Sequence, residues 1–327
     1  MRIGLIGCGL ISGAHVRGLA ALGERAKLAV TCDLDLARAE QVAAEAGAER
    51  AVSDYREVLA DPTIAAVDLL LPHHLHRRVT EEALAAGKHV LCEKPIATNL
   101  ADADAMIAAA ERAGRVLAVC EQCRHEPVVP AARELLDQGL IGEVIVVRAL
   151  MAWFQGGGYL ETAWRFDPET MGGGALVDGG HHRVDTLLEL LGAPRRVTAL
   201  TRRLRQVFPT EDTAVVLAEF ESGILGELTV TQSTHWRPRV LFEAVGTEGA
   251  LTARWDRLEV SSPRVPDGEA VYPLERRDGH AAALADFVTA VETGGRPRID
   301  GPSARRDLAF VLAAYEAART GRTVELD

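Results

Sequence analysis

The chain has 327 residues, 48% hydrophobic and 25% charged, with 36 Lys and Arg against 47 Asp and Glu, a formal net charge of -11. That length holds about two domains with a sizeable core in each. The acidic balance argues against a nucleic-acid partner, which needs clustered Lys and Arg, and no apolar run approaches the roughly 20 residues of a membrane span.

The amino terminus, MRIGLIGCGL, carries one basic residue and then a glycine pattern, so it does not read as a secretory leader. A cytoplasmic location is the expectation. Five cysteines, Cys8, Cys32, Cys92, Cys120 and Cys123, all lie in the first 123 residues. An odd, scattered set is poor material for a disulfide framework. Cys120 and Cys123 form a CxxC, but a structural zinc site needs a second pair, so all five read as buried thiols.

The first 120 residues alternate. Apolar runs at 2–7, 28–33, 67–71, 89–93 and 115–120 read as strands; 13–22, 36–47, 76–87 and 101–114 read as helices, with glycines 47 and 87 at two of their ends. Continuous apolar strands between helices indicate a parallel, doubly wound sheet covered on both faces. The helix at 128–139 is expected to bridge two domains.

From about residue 143 the rhythm changes. Segments 143–150, 195–204, 213–233, 239–253 and 258–262 read as strands joined by short Gly-containing turns, with no helix of any length among them, hence a mostly antiparallel sheet. Helices at 280–294 and 304–321 close the chain. The fold class expected is α/β: a Rossmann domain over 1–122, then an α+β domain over 123–327 with a large open sheet.

GLIGCGLISGAH sets Gly7, Gly9 and Ser12 in a GxGxxS pattern between a strand and a helix. The first glycine permits the tight turn, and the second lets a pyrophosphate approach N–H groups at the helix start. With Leu10 and Ile11 in the same turn, this is a dinucleotide site. The second strand ends in Asp33, where a carboxylate accepts from the adenosine ribose hydroxyls and repels a 2′-phosphate. NAD is expected, and NADP is disfavoured.

Two further segments follow strands and so face the nicotinamide half of the cofactor: Pro72, His73 and His76 after the third strand, and Glu93-Lys94-Pro95 after the fourth. With AGKHVLCEKPIA at 86–97 and GGGALVDGGHHRVD at 172–185, the whole chain resembles the glucose–fructose oxidoreductase / inositol dehydrogenase / MocA family. The resemblance implies a catalytic lysine at Lys94 and an Asp/His pair at Asp178 and His182, with His182 the general acid/base. It implies substrate contacts from Arg124, Trp164 and Arg165, and dimers or tetramers formed through the carboxy-terminal sheet. His73 and His125 depart from it, standing where the family commonly has asparagine and an aromatic residue.

The residue chemistry agrees independently. Oxidising a secondary alcohol needs a base for the hydroxyl proton and a cation for the developing alkoxide. Histidine titrates near neutrality and lysine supplies charge. A helix entered near Asp178 would set residues 178, 182 and 185 on one face and His181 elsewhere. His73, His74, His76, His181 and His182 lack zinc-like spacing, so no metal is expected. The reading is an NAD-dependent dehydrogenase or reductase of a cyclic polyol, sugar or sugar derivative. One alternative is a glycoside-cleaving enzyme using NAD transiently; another is a cofactor-binding sensor without catalysis.

Overall fold

The computed structural model describes residues 1–205 and 207–326. The chain divides into two compact units. The first comprises Met1–Gln122, Glu169–Gly172 and Asp278–Leu308, and the second Cys123–Pro168, Gly173–Arg277 and Ala309–Asp327.

In the first unit the predicted alternation is realised as β1 (Arg2–Ile6), α1 (Ser12–Ala21), β2 (Lys27–Cys32), α2 (Leu36–Ala46), β3 (Arg50–Val52), α3 (Tyr55–Ala60), β4 (Ala66–Leu69), α4 (His76–Ala85), β5 (His89–Glu93), α5 (Leu100–Ala113) and β6 (Leu117–Cys120). The sheet is parallel throughout, in the order β3-β2-β1-β4-β5-β6. Strand order reverses between β1 and β4, and in such sheets ligands bind beyond the strand ends at that switch point. β3 and α3 are additions to the predicted elements, because three and six residues are too few to display a period. Side-chain caps explain several helix starts. Asp35 accepts from Arg38 N at 3.4 Å and Asn99 from Asp102 N at 2.9 Å.

The rest of the chain forms α6 (Gln122–His125), α7 (Val128–Asp137), β7 (Val144–Ala152), α8 (Pro168–Met171), α9 (His181–Leu191), β8 (Pro194–Arg202), β9 (Thr213–Phe220), β10 (Leu225–Thr231), β11 (Phe242–Gly246), β12 (Ala250–Arg254), β13 (Arg257–Ser261), β14 (Glu269–Pro273), α10 (Gly279–Thr293), α11 (Gly301–Thr320) and β15 (Val324–Glu325). Nine strands make one sheet, β14-β13-β12-β11-β7-β10-β9-β8-β15, antiparallel except where β7 meets β10. Its core gathers Val147, Val216, Leu228 and Phe242 from strands, with Leu187 and Leu188 of α9 and Phe310 of α11. No helix among the described residues is long and apolar enough to cross a membrane.

Three expectations are corrected. A helix, α9, does separate β7 from β8, and it begins at His181 rather than near Asp178. Glycines 179 and 180 are poor helix formers, and the chain passes Asp178 as a turn whose N–H donates to Gly174 O at 3.1 Å. The 128–139 helix, expected to link two domains, packs within the second unit, where Val128, Val129, Ala132 and Leu135 enter the core. Conversely, α10 belongs to the first unit, because Ala283, Leu284, Phe287 and Val288 are packed with Ile3, Leu5, Leu19 and Leu91. Its apolar stripe covers the parallel sheet, a tertiary partnership that no local pattern announces.

Phe287 is fully buried in that core. Phe287→Ala should therefore cost about 3–5 kcal/mol of stability, read by denaturant unfolding of the purified protein. A loss below about 1 kcal/mol would show that α10 is not part of that core.

Candidate active site

β1 delivers the chain into a turn that only glycine permits at its first corner. Gly7 has φ +103°, and a Cβ there would lie 2.2 Å from Leu70 O. At Gly9 nothing lies within 4 Å of an added Cβ, so its backbone is open to a ligand. Leu10 and Ile11 are exposed beside it, and the Ser12 hydroxyl donates to Gly9 O at 2.8 Å as α1 begins. Asp33 follows β2, and its carboxylate is fixed against the turn. Oδ2 accepts from Cys8 N at 2.8 Å and Oδ1 from Asp35 N at 2.9 Å, while the Arg38 guanidinium stands 3.9 Å from Oδ2. An open glycine corner, a helix start and an anchored carboxylate fit the pyrophosphate and ribose of a dinucleotide.

Past β4 the chain runs through Pro72 to His73, buried, whose Nδ1 lies 2.7 Å from Met171 O. His76 is wholly buried; its Nδ1 sits 2.8 Å from Pro95 O and its Nε2 2.9 Å from Leu71 O. Burial lowers this imidazole against the two carbonyls that favour its protonation, so the ring is neutral and donates to one of them. It therefore ties the loop after β4 to the cis Lys94-Pro95 segment after β5.

Beneath these loops lies a cluster that no sequence motif marks. His15 of α1 is fully buried, with Nδ1 2.8 Å from Asp68 Oδ2 of β4 and Nε2 3.0 Å from Glu93 Oε1 of β5. Burial would lower the His15 imidazole, but the charge of Asp68 leads the interactions that raise it well above its ordinary value. Burial likewise would raise Glu93, yet the His15 hydrogen bond and charge, with Lys94 and His280, hold it at about 2. The Cys120 thiol beside them is pushed up to about 12 by burial and by Glu93. His15, Glu93 and Cys120 lie within 4.8 Å of one another, a spacing a metal ion could use. Both ring nitrogens, however, already meet carboxylates. A signal does exist in the sequence: His15 falls on the same helix face as Ser12, Gly18 and Leu19, the stripe that α1 buries.

In the second unit the glycine-rich segment is a tightly packed turn running into α9. A Cβ at Gly174 would lie 2.1 Å from Glu211 O, and one at Gly179 would lie 2.2 Å from the Trp153 ring. The Tyr315 hydroxyl accepts from Gly174 N at 3.1 Å and Val177 N at 3.2 Å and donates to Glu211 Oε1 at 2.7 Å. Burial drives the Glu211 carboxyl up despite the donors around it.

On this turn the Asp178 carboxylate accepts from the Tyr159 hydroxyl at 3.0 Å. Burial and Asp178 raise that phenol, so it stays a donor. The Arg165 guanidinium lies 4.7 Å from the Tyr159 ring centroid and 4.2 Å from that of Trp164. His182 is 9% exposed, whereas His181 is fully buried. Arg124, 2% exposed, pairs with fully buried Asp185, one helical turn beyond His182, and its Nε is 3.8 Å from Glu189. The second unit thus brings together Asp178, Tyr159, Trp164 and Arg165, and joins Arg124 to Asp185. The sequence signals neither the role of Tyr159 nor the ion pair of Asp185, since Tyr159 lies in a short 3-10 helical stretch too brief to show a period and Asp185 stands 61 residues from its partner.

Comparison with known proteins agrees with this picture. Residues 1–121 match the oxidoreductase family with an NAD-binding Rossmann fold, and residues 129–252 match the GFO/IDH/MocA C-terminal domain. The chain is 32% identical to the 1,5-anhydro-D-fructose reductase of Ensifer adhaerens, across 100% of this chain and 98% of that one. It is 32% identical to a D-apiose dehydrogenase of Paraburkholderia graminis, across 98% and 88%. The crystal structure of an oxidoreductase from Agrobacterium radiobacter in complex with NAD+, L-tartaric acid and magnesium superposes with a TM-score of 0.90 at 26% identity, covering 99% of this chain and 98% of that one. The protein belongs to the Gfo/Idh/MocA family and is an NAD(P)-dependent dehydrogenase or reductase with an NAD-binding Rossmann domain.

Proposed function

We propose that this enzyme interconverts a secondary alcohol and a ketone on a cyclic polyol, a sugar or a sugar derivative, with NAD as its cofactor. The observation that carries the reading is the Asp178 turn: a carboxylate anchored by the Tyr159 hydroxyl, four residues ahead of a largely buried histidine, His182. Whole-length relatives named for an anhydrofructose and for apiose support the substrate class. When bound, NAD supplies the acceptor for the hydride. His182 takes the hydroxyl proton, Asp178 assists it, and Lys94 supplies positive charge against the developing alkoxide. Gly7, Gly9, Leu10 and Ile11 would hold the pyrophosphate, and Pro72, His73, His76 and Glu93 belong to the segments that would serve the nicotinamide half. Trp164 and Arg165 contact the substrate, whereas Arg124, engaged by Asp185, acts on it by holding α9. We place its work in the reducing cytoplasm on the odd, scattered set of five cysteines, all of them buried.

His182→Ala should lower kcat by roughly 10²–10⁴-fold with little change in NADH affinity, and Lys94→Ala should be similarly damaging. His181→Ala should keep most turnover in its folded fraction. The measurement is NADH absorbance over a panel of sugars and polyols, on variants first verified to be folded. A dead His181→Ala beside a fully active His182→Ala would reverse the roles.

Asp33 governs cofactor choice. Its carboxylate accepts from ribose hydroxyls and repels a 2′-phosphate, a preference for NADH over NADPH of about 1–3 kcal/mol. Asp33→Ser should weaken NADH binding and narrow the gap. Fluorescence titration showing tighter NADPH binding by the wild type would refute the assignment.

The large sheet's outer face pairs with a second copy of the chain. Leu200, Leu217 and Leu225 there are 63%, 51% and 50% exposed, with Val215 beside them. An apolar stretch of this kind marks an interface, and a symmetric one makes dimers or tetramers. Leu217→Arg should shift sedimentation toward monomer, whereas a wild type already monomeric at micromolar concentration would end the proposal.

A further inference from the structure

The His15 cluster has no part in the proton and hydride transfers, yet it touches the residue next to the lysine. Its ring nitrogens lie 2.8 and 3.0 Å from carboxylate oxygens of Asp68 and Glu93. A neutral imidazole has one N–H and can donate to one of them only. The other contact would then set a ring lone pair against an anionic oxygen, unless a proton is added. Two carboxylates on either side of one buried ring favour placing that proton on the ring.

The other titratable groups around the cluster among the described residues are the Cys120 thiol of β6 and the Cys92 thiol of β5, both pushed up by burial and so neutral, the His76 ring of α4, which burial lowers, the His280 ring of α10 with its centroid 5.4 Å from that of His15, and Lys94 itself. With the ring charged, the two carboxylates, the imidazolium and the lysine ammonium sum to zero, a balance a buried cluster requires.

We propose that His15 is a positioning residue for Lys94: as a buried imidazolium clamped between Asp68 and Glu93, it keeps the Glu93 carboxylate ionised and oriented beside the lysine. Because His15 stands on α1, directly after the cofactor turn, the clamp also ties the helix that receives the pyrophosphate to the segment that carries Lys94. The inference rests on the reading of Lys94 as a catalytic residue. Without His15, the two carboxylates share the interior with no cation between them. Glu93 then takes up a proton in the neutral range and Lys94 loses its fixed anionic neighbour.

Two measurements test it. The first needs no activity: ¹⁵N-histidine spectra of the wild-type protein, with the His15 signals assigned by their loss in His15→Asn. Both ring nitrogens should remain protonated at about pH 8, well above the ordinary histidine value; a neutral tautomer there overturns the proposal. The second is kcat against pH with NAD and the best substrate of the panel. His15→Asn should lower kcat roughly 10- to 100-fold and introduce an ionisation in the neutral range that the wild type lacks. The double variant His15→Asn/Glu93→Gln should lose that ionisation. A cooperative thermal unfolding transition and a wild-type circular dichroism spectrum in His15→Asn separate positioning from a damaged fold. A wild-type pH profile in His15→Asn overturns the link to Lys94. If Lys94→Ala itself turns over normally, the catalytic reading of the lysine fails instead, while the spectra still report the charge on His15.

Discussion

A charge in a protein interior must meet its opposite within hydrogen-bond distance, or the fold gives up several kcal/mol. In the first unit that requirement converges on His15, where one ring from α1 spans carboxylates on β4 and β5. The three elements cannot slide past one another without separating buried charges. Since α1 follows the glycine corner and β5 ends at Glu93, the geometry of the cofactor turn and of the Lys94 segment depend on the same contacts. His76 adds a second tie above them, through Leu71 O and Pro95 O.

The second unit meets the problem of holding a polar turn in another way, by close approach instead of charge. Its glycines let the backbone touch Trp153 and Glu211 where a Cβ would collide. The Tyr315 hydroxyl then serves two backbone donors and one carboxylate, so the turn's polar groups are met inside the protein. A side chain on such a turn is held far more firmly than one on an ordinary loop. That is what a group needs when it must hold a proton-transfer residue in place.

Much of this is legible in the chain. The glycine pattern, the Asp33 position, the EKP segment and the GGGALVDGGHHRVD stretch each pair a residue type with a local element, and periodicity places those elements. Five parallel strands are evident because each is a continuous apolar run. The elements that sequence misplaces share a cause. The turn at Asp178 reads as the start of a helix because spacing alone does not reveal that glycines 179 and 180 are pressed against Trp153 and Leu176. The strand β14 and the two-residue β15 carry too little pattern to be seen.

By itself, then, the sequence determined the order of the longer elements and the dinucleotide turn, and it supplied the side chains proposed as reactive, because these follow from local backbone preference and from residue chemistry. Tertiary structure alone decided which charges meet. That His15 faces Asp68 and Glu93, that Arg124 is taken by Asp185, that Tyr159 holds Asp178 and that α10 covers the parallel sheet are contacts across 53 to 78 residues, 61 residues, 19 residues and most of the chain. Hydrophobic burial and electrostatic pairing act on distance in space, and separation along the chain has no bearing on either once the fold has closed.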